Sequence, residues 1–335
     1  MTTEEHVHQV QDTREHTARG SGNGASPRMG VAVPRVSVGL PVFNGDNYLV
    51  EAIESHLAQT FADFELVICD NGSTDGTEAI CRRFADRDPR IRYLRFDANI
   101  GAASNFNRAF QLARGEYFRW ASHDDRIRPE YLEACVAILD SFPDTVLCHS
   151  NVRLINPEGK PVDTQRQSAE RINSVDVRVR FRENADPSHQ CLDVFGLIRR
   201  SALEQTSLIE GYPGSDRILL AELALHGRFY RLWDPLFESR IHPERSICQD
   251  PRSFAEWFAP GAGDTAAYSQ WLALQGYLRG VSRAPLPIDR RIACSGVVAE
   301  WMVKNSRRLT IQALRVAVAS VSARASHRRR SDTGA

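Results

Sequence analysis

The sequence lacks three features that would have assigned it to a common structural class. Its seven cysteines are scattered and form no Cys-x-x-Cys pair, so neither a disulfide framework nor a zinc site is indicated. No stretch approaches the ~18 apolar residues of a membrane-spanning helix. Glu4, Glu5 and Asp12 stand where a secretory signal would need basic and then apolar residues. Together these absences predict a protein of the reducing cytoplasm.

An excess of charge of either sign is also lacking. Basic and acidic residues each number 42, so the formal net charge is zero and no overall attraction to nucleic acid follows. With 42% hydrophobic and 25% charged residues among 335, the composition is typical of a soluble globular protein of one large or two smaller domains. Binding of any charged partner must therefore depend on local groups of residues.

The first half of the chain alternates between short apolar runs and helical patterns. The predicted strands lie at 35–40, 64–69, 91–96, 117–121 and 145–155. This alternation predicts an α/β fold, with a mostly parallel sheet flanked by helices. The loops at Phe43, Asp70, Asn99 and Asp124 should then meet at one edge of the sheet, which is where open α/β sheets bind ligands.

The rest of the chain has a weaker pattern. Residues 1–34 contain few large apolar residues and predict a disordered tail. Residues 163–187 are charged without a firm period and predict a loop over the site, whereas the chain after about 264 has a helical tendency. The expected division is a tail at 1–34, a main domain at 35–260 with halves 35–155 and 156–260, a helical extension at 261–325, and a disordered basic tail at 326–335.

Two adjacent carboxylates, Asp124 and Asp125, follow the predicted strand at 117–121. Such oxygen ligands suit Mg²⁺ or Mn²⁺, and an ion with few protein carboxylates completes its shell with phosphate oxygens of a substrate. His242, after a later predicted strand, is a third candidate ligand. A solvated acidic pair and a loop histidine explain the same residues equally well.

A further carboxylate, Asp216, stands just before a predicted helix at 217–225. It could accept a proton from an attacking hydroxyl as a general base, or cap the helix. The residues alone favour the cap.

Six segments follow one another along the chain: 36–44 (VSVGLPVFN), 59–66 (QTFADFEL), 70–75 (DNGSTD), 99–101 (NIG), 113–117 (ARGEY) and 123–125 (HDD). In this order they resemble the successive motifs of the family 2 glycosyltransferases, which are nucleotide-sugar-dependent enzymes of GT-A fold. The resemblance covers about residues 35–245 and implies a GT-A-type sheet flanked by helices, followed by a helical C-terminal extension.

The resemblance also implies roles for individual residues. The nucleotide base would contact Pro41 and Phe43, base and ribose would contact Asp70 and Asn71, the metal would bind Asp124, and the general base would be Asp216. Asn99, Gly101 and Asn107 are candidates to line the diphosphate pocket, although turn chemistry explains Asn and Gly at a helix start equally well.

Three positions depart from the family pattern. Ser122 replaces the first acid of the usual Asp-x-Asp, and Ser215 replaces a Glu that often precedes the base. Asn71 stands where a second Asp is common, and its amide can accept a hydrogen bond from uracil or thymine but can also donate one.

The expected activity is inverting transfer of a sugar from a nucleotide-diphosphate donor to a hydroxyl of a glycan or lipid-linked acceptor. UDP- or TDP-sugars are favoured, with Mg²⁺ or Mn²⁺ as cofactor, in cytoplasmic synthesis of cell-envelope glycans. A non-catalytic nucleotide-sugar-binding protein stays open because of Ser122 and Ser215. A nucleotidyltransferase on a related fold should show a basic, Gly-rich first loop, which 41–45 lacks. No Gly-x-Gly-x-x-Gly of a dehydrogenase follows the first strand.

The C-terminal stretch 304–330 contains eight Lys or Arg and no acid, with Ile311, Leu314, Val318 and Val321 at helical spacing. This pattern predicts either a peripheral contact with the inner face of the cell membrane, or a helix packed on the main domain and followed by a solvated basic tail.

Overall fold

The computed structural model describes residues 33–165, 171–245, 248, 250–261 and 268–315. Residues 1–32 of the predicted tail at 1–34, and all of the predicted tail at 326–335, lie outside the described residues. The strands are β1 Val36–Val42, β2 Phe64–Asp70, β3 Ile91–Arg95, β4 Tyr117–Trp120, β5 Arg126–Ile127, β6 Thr145–Ile155, β7 Pro161–Gln165, β8 Leu197–Arg199 and β9 Arg228–Arg240. The helices are α1 Leu49–Leu57, α2 Thr77–Ala85, α3 Ala102–Leu112, α4 Tyr131–Ser141, α5 Val177–Ala185, α6 Arg200–Leu203, α7 Ser215–His226, α8 Pro251–Phe258, α9 Ser269–Arg283 and α10 Ile288–Lys304, and Leu192–Phe195 forms a 3₁₀ helix.

All nine of these strands belong to one sheet in the order β3-β2-β1-β4-β8-β6-β9-β5, with β7 paired to β6. The β3-β2-β1-β4 half is parallel, and every residue of β1 and β2 is buried, as expected for apolar runs covered on both faces. In the other half β8 pairs antiparallel with both β4 and β6. The predicted α/β class, with flanking helices and C-terminal helices, is confirmed, and the antiparallel pairs are an addition that the alternating pattern did not predict.

The parallel half brings successive loops to one edge. The N–H of Asn71, after β2, donates to the carbonyl of Val42 at the end of β1, at 2.8 Å. The N–H of Ala121, after β4, donates to the carbonyl of Gly39 at 2.8 Å. These bonds fix the ends of three neighbouring strands side by side, so the polar residues that follow them share one region.

The predicted loop at 163–187 is wrong for the residues that the structure describes there. Pro161–Gln165 is strand β7, and Val177–Ala185 is helix α5. Val177, Phe181 and Ala185 are buried in a core shared with α7, α9 and α10. Their spacing of four residues is helical, but the intervening arginines make the segment look uniformly polar.

Helices α9 and α10 pack against α5 and α7. Tyr277 of α9 and Trp301 of α10 lie in the same core as Ile218 and Leu225 of α7, with the two aromatic rings 5.3 Å apart. The helical tendency predicted after residue 264 is therefore confirmed where the chain is described, while the division at residue 260 stays a prediction. Among the helices of the described part, none combines the length and apolarity needed to cross a membrane.

Candidate active site

Two adjoining cavities open at the edge where β1, β2 and β4 end. The first, of about 370 Å³, is lined by loops of the parallel half, including Pro41, Phe43, Asn71 and Asn99. The second, of about 630 Å³, lies between α7, α8 and the 3₁₀ helix Leu192–Phe195. Six residues line both cavities: Phe106, Ser122, Asp124, Phe195, Arg245 and Trp257. The two cavities therefore meet beside Asp124.

The loop after β1 is held by backbone-directed hydrogen bonds. The N–H of Asn44 donates to Ser73 Oγ at 3.0 Å, and the N–H of Gly45 donates to Thr77 Oγ1 at 2.9 Å. Asn44 itself has a positive φ of 51°, which asparagine tolerates better than most residues. This tight connection to the β2 loop places Pro41 and Phe43 on the wall of the first cavity.

Asp70 lies behind that wall. Its side chain is fully buried, Oδ1 accepts from the N–H of Ser73 at 2.8 Å, and Oδ2 accepts from the hydroxyl of Tyr93 at 2.7 Å. Both carboxylate oxygens therefore shape the loop after β2. These hydrogen bonds give Asp70 a structural role, and its predicted contact with the nucleotide stays a prediction.

Asn71 does line the first cavity, and its amide has a fixed orientation. Oδ1 accepts from the N–H of Ile100 at 3.1 Å, while Nδ2 donates to Asn99 Oδ1 at 2.7 Å and to the carbonyl of Gly101 at 3.3 Å. A carboxylate at position 71 would place an oxygen against those two acceptor oxygens. Asn71, which stands where the family often has an Asp, is thus complemented by Asn99, whose side-chain oxygen accepts its N–H.

Two further predicted residues lie away from both cavities. Asn107 exchanges hydrogen bonds of 2.8 and 3.1 Å with the backbone of Ile209, so it fastens α3 to the segment before α7. Gly101 has φ +85°, and a Cβ there would lie 2.3 Å from Pro260 Cδ. Gly101 and Asn107 serve packing in this way, and their place in a diphosphate pocket stays a prediction.

Asp124 and His242 form the polar contact at the junction. His242 Nε2 lies 2.9 Å from Asp124 Oδ2, and Ser122 Oγ donates to Asp124 Oδ1. Burial opposes ionisation of Asp124, but the hydrogen bond from His242 and the charge of His123 hold its pKa below the usual range. Asp124 is thus an anion at neutral pH, with an imidazole beside it.

Asp125 turns toward β9 instead. Its Oδ1 accepts from the backbone N–H of Arg240 at 2.9 Å, and burial together with the charge of Asp124 raises its pKa. The guanidinium of Arg240 is itself bound to the carbonyl of Asp124 and to Glu51. Asp125 thereby stabilises the junction of loop and strand; it also lines the second cavity, and its role as a metal ligand stays a prediction.

The donor set fits a cation held jointly by protein and substrate. Among the residues that the structure describes, no three His, Cys, Asp or Glu side chains are grouped as a complete protein site. Asp124 and His242 supply one oxygen and one nitrogen of types that Mn²⁺ accepts. A cation there would need further oxygens from the ligand in the first cavity.

Asp216 lies in the first turn of α7 and lines the second cavity. Gly214, with φ +88°, occupies the cap position of this helix, and Asp216 Oδ1 accepts from the N–H of Arg217 at 2.9 Å. Burial raises the pKa of Asp216. The preceding Ser215 is buried and donates to the carbonyl of Glu210 at 2.8 Å, so it anchors the loop where the family often has an acid.

Sequence reasoning missed the aromatic lining of the second cavity. Phe254, Trp257 and Phe258 of α8 line it, and Phe195 projects into both cavities. The carbonyl of Phe195 accepts from Arg119 Nε and from the Tyr131 hydroxyl, each at 3.3 Å. The spacing of the α8 aromatics after Asp250 and Pro251 is a helix signal that could have been found, but the sequence does not show which way they face.

Comparison with known proteins agrees with this geometry. The chain matches the family described as "Glycosyl transferase family 2" over residues 37–207, just over half of its 335 residues. An uncharacterized glycosyltransferase of Rickettsia typhi is 35% identical over 145 residues, which are 42% of this chain and 44% of that protein. Chondroitin synthase of Escherichia coli is 40% identical over 110 residues, which are 33% of this chain and 16% of that protein.

The match thus spans less than half the length of either relative. Among solved structures, residues 1–349 of S. aureus TarS in complex with UDP-GlcNAc superpose with a TM-score of 0.59 at 18% identity, covering 81% of this chain and 72% of that one. The likeness shows a shared GT-A-type fold. The extent of the family match, on that fold, shows that the chain belongs to glycosyl transferase family 2.

Proposed function

We propose that this chain is an inverting glycosyltransferase that moves a sugar from a nucleoside-diphosphate donor to a hydroxyl of a glycan or lipid-linked acceptor. The observation that carries the proposal is the junction of the two cavities at Asp124. One cavity has walls formed by the family motifs, and the other contains Asp216. A sugar attached to a donor in the first cavity would project toward an acceptor in the second.

The first cavity suits a pyrimidine nucleotide. Phe43 offers a ring face for stacking of a base, and Asn71 borders the same space. Because both Nδ2 hydrogens of Asn71 are engaged by Asn99 and Gly101, the amide has acceptor capacity left only on Oδ1. An N–H of uracil or thymine can donate to that oxygen, which supports a UDP- or TDP-sugar.

Asp124 and His242 would hold Mg²⁺ or Mn²⁺ together with oxygens of the donor diphosphate. A bound cation supplies neutralisation of the charge that develops on the departing diphosphate. Use of such cations is common in this family. Arg245 lines both cavities and adds positive charge near the same position.

Asp216 would act as the general base. Its carboxylate accepts the proton of the acceptor hydroxyl while that oxygen attacks the anomeric carbon from the side opposite the nucleotide. The bond from the anomeric carbon to the diphosphate oxygen breaks, and its electron pair leaves with the nucleoside diphosphate. A single displacement of this kind inverts the anomeric centre.

The experiment is measurement of nucleotide release from UDP-, TDP- and GDP-sugars with Mn²⁺ or Mg²⁺. We expect turnover with at least one UDP- or TDP-sugar and its loss on removal of the cation with EDTA. Donor binding without release from any of these sugars would instead support a non-catalytic binding protein. Pyrophosphate release from a nucleoside triphosphate would support a nucleotidyltransferase.

A further inference from the structure

Helix α8, Pro251–Phe258, has an apolar side on which Phe258 packs against the core around α3 and α7, whereas Phe254 and Trp257 belong to no core cluster of the described residues. Phe254, Trp257 and Phe258 are each half-buried, and their ring centroids lie 5.5 to 6.1 Å apart. All three line the second cavity. By contrast, Tyr277 of α9 and Trp301 of α10 are buried against other helices. Phe254 and Trp257 of α8 are therefore presented to the second cavity, which Asp216 also lines.

The position of α8 is well defined. Asp250 caps it, because Oδ1 accepts from the N–H groups of Arg252 and Ser253 at 3.0 and 3.1 Å. Its C-terminal end lies against the start of α3, where the absent Cβ of Gly101 leaves room for the carbonyl of Phe258 and for Pro260. The aromatic wall is thus fixed relative to the loops of the first cavity.

The second cavity also contains hydrogen-bonding groups. Gln165 at the end of β7 lines it, and its Oε1 has no partner among the described residues. Gln190, Ser239 and Asp216 line it as well. A purely apolar chain bound here would leave the Gln165 carbonyl unpaired, which costs free energy.

A pyranose ring matches both kinds of wall. One face of such a ring carries C–H groups that pack on an aromatic surface, and its hydroxyls can bond to amides and carboxylates around its edge. Asp216, the proposed base, lines the same cavity and can receive the proton of a sugar hydroxyl. The lining of the cavity therefore favours a sugar over a lipid chain.

We propose that Phe254 and Trp257 of α8 form the acceptor subsite, and that the group bound there is a pyranose ring stacked through its C–H face. The inference rests on the proposed function, because the hydroxyl that Asp216 deprotonates belongs to this ring. It assigns acceptor selection to α8.

Phe254 is the residue to change, because it lines the second cavity alone, whereas Trp257 lines both. Phe254→Leu keeps an apolar side chain but removes the ring face, and Phe254→Tyr keeps the ring. Trp233→Ala is the matched control, since that aromatic side chain is 77% exposed and lies outside both cavities. Thermal melting establishes that each variant is folded.

The measurement is saturation-transfer difference NMR with a panel of methyl α- and β-pyranosides, without donor. We expect binding of at least one pyranoside to weaken roughly tenfold in Phe254→Leu, the upper end for an aromatic contact, and to persist in Phe254→Tyr and Trp233→Ala. Equal pyranoside binding by Phe254→Leu and the wild type overturns the subsite. It is also overturned if the wild type binds isoprenyl phosphate and gives no signal with any pyranoside.

Nucleotide release from the donor, measured in the absence of acceptor, separates this inference from the proposed function. If the wild type releases nucleotide but Phe254→Leu binds pyranosides as well as the wild type does, the subsite is overturned and the proposed function is not. Phe254-dependent pyranoside binding in a protein that releases no nucleotide supports the subsite and contradicts the transferase.

Discussion

The proposed binding of a cation depends on Asp124 and His242. Asp124→Asn replaces an anionic oxygen with an amide, and His242→Ala removes the neighbouring nitrogen, so either change should weaken Mn²⁺-dependent binding of UDP at least about tenfold. Isothermal titration calorimetry with and without Mn²⁺ measures this. Asp234→Asn, an exposed acid outside both cavities, is the control. Unchanged Mn²⁺-dependent affinity in both site variants would contradict the proposed ligands.

The pH dependence of activity should report Asp216. Burial raises its pKa, so as pH falls this carboxylate takes up its proton earlier than an ordinary Asp, whose pKa is about 3.9. A base is inactive when protonated, and the acid limb of kcat/KM should therefore lie above that value. The pH–rate profile with saturating cation measures the limb. A profile flat down to the ordinary range of an aspartate would oppose this assignment.

The sequence could predict that residues directly after the parallel strands lie together, because parallel strands end at one edge of the sheet. Pro41, Asn71 and Asp124 line the cavities as a strand-end position predicts. The buried hydrogen bonds of Asp70 with Tyr93 and of Asp125 with Arg240 could not be predicted, because these partners come from distant parts of the chain. The catalytic or binding roles of all five of these residues stay predictions.

The 3₁₀ helix Leu192–Phe195, which borders both cavities, is supported by a buried ion pair. Arg231 of β9 lies 2.5 Å from Asp193, and both side chains are almost fully buried. Burial opposes ionisation of Asp193, but Arg231 holds its pKa below the usual range, so this contribution to stability is lost only as pH falls through that lowered pKa.

Arg231→Leu should leave the buried Asp193 carboxylate with His189 Nε2, 3.1 Å away, as its other side-chain partner, and lower the free energy of unfolding by about 3 kcal/mol, the lower end for a broken buried pair. Chemical denaturation measures the change. Arg82→Leu, which removes an exposed partner of Glu78, should shift the midpoint far less. Equal shifts in the two variants would show that the buried pair does not hold this region.

Gly101 sets the contact between α3 and α8. Gly101→Ala would place a Cβ 2.3 Å from Pro260 Cδ at a φ of +85°, so α8 must move and the protein should lose about 1–3 kcal/mol of stability. Gly296→Ala in α10 is the control, since no atom lies within 4 Å of its Cβ position and a helical Ala is favoured. Denaturation and kinetics measure both variants, and we expect Gly101→Ala to impair transfer to acceptor more than donor hydrolysis. Equal stability of the two variants would contradict a tight α3–α8 contact.

Two helices show where local patterns were insufficient. In α5 the apolar residues Val177 and Phe181 alternate with arginines, one of which, Arg180, is itself buried and donates to the carbonyl of Ala224. Composition does not predict that an arginine is buried when its hydrogen-bond acceptor is a carbonyl in a distant part of the chain. For α8, Phe254, Trp257 and Phe258 have helical spacing, but the sequence does not show that a cavity lies against them.

For the molecule as a whole, the contact of the C-terminal stretch with a membrane stays a prediction. Ile311 and Leu314 are 40% and 60% exposed, whereas Val318, Val321 and the arginines from Arg324 onward lie outside the described residues. Each basic residue near an anionic surface is worth roughly 1 kcal/mol, so attachment should be sensitive to salt.

Co-sedimentation with anionic liposomes tests this contact. A deletion should begin after Arg315, because Leu309 is buried and its carbonyl accepts from Trp271 Nε1 at 3.1 Å. We expect binding that is lost at high salt and on removal of 316–335. Equal recovery in the supernatant with and without those residues would contradict it.

The α/β class and the location of the ligand edge follow from alternating strands and helices in the first half of the chain. The order β4-β8-β6-β9 does not, because it depends on pairings between segments separated by dozens of residues. The second cavity lies in this half, between β7, β9 and α7. Its shape therefore required the structure.

Transfer with Asp216 as the base is tested most directly by comparing Asp216→Asn with the wild type and with Asp234→Asn. Donor affinity is measured by calorimetry, and turnover by nucleotide release. The amide cannot accept the proton of a hydroxyl, so we predict nearly unchanged donor affinity and a loss of turnover of at least about 100-fold in Asp216→Asn alone. Turnover of Asp216→Asn within a few fold of the wild type would contradict the assignment.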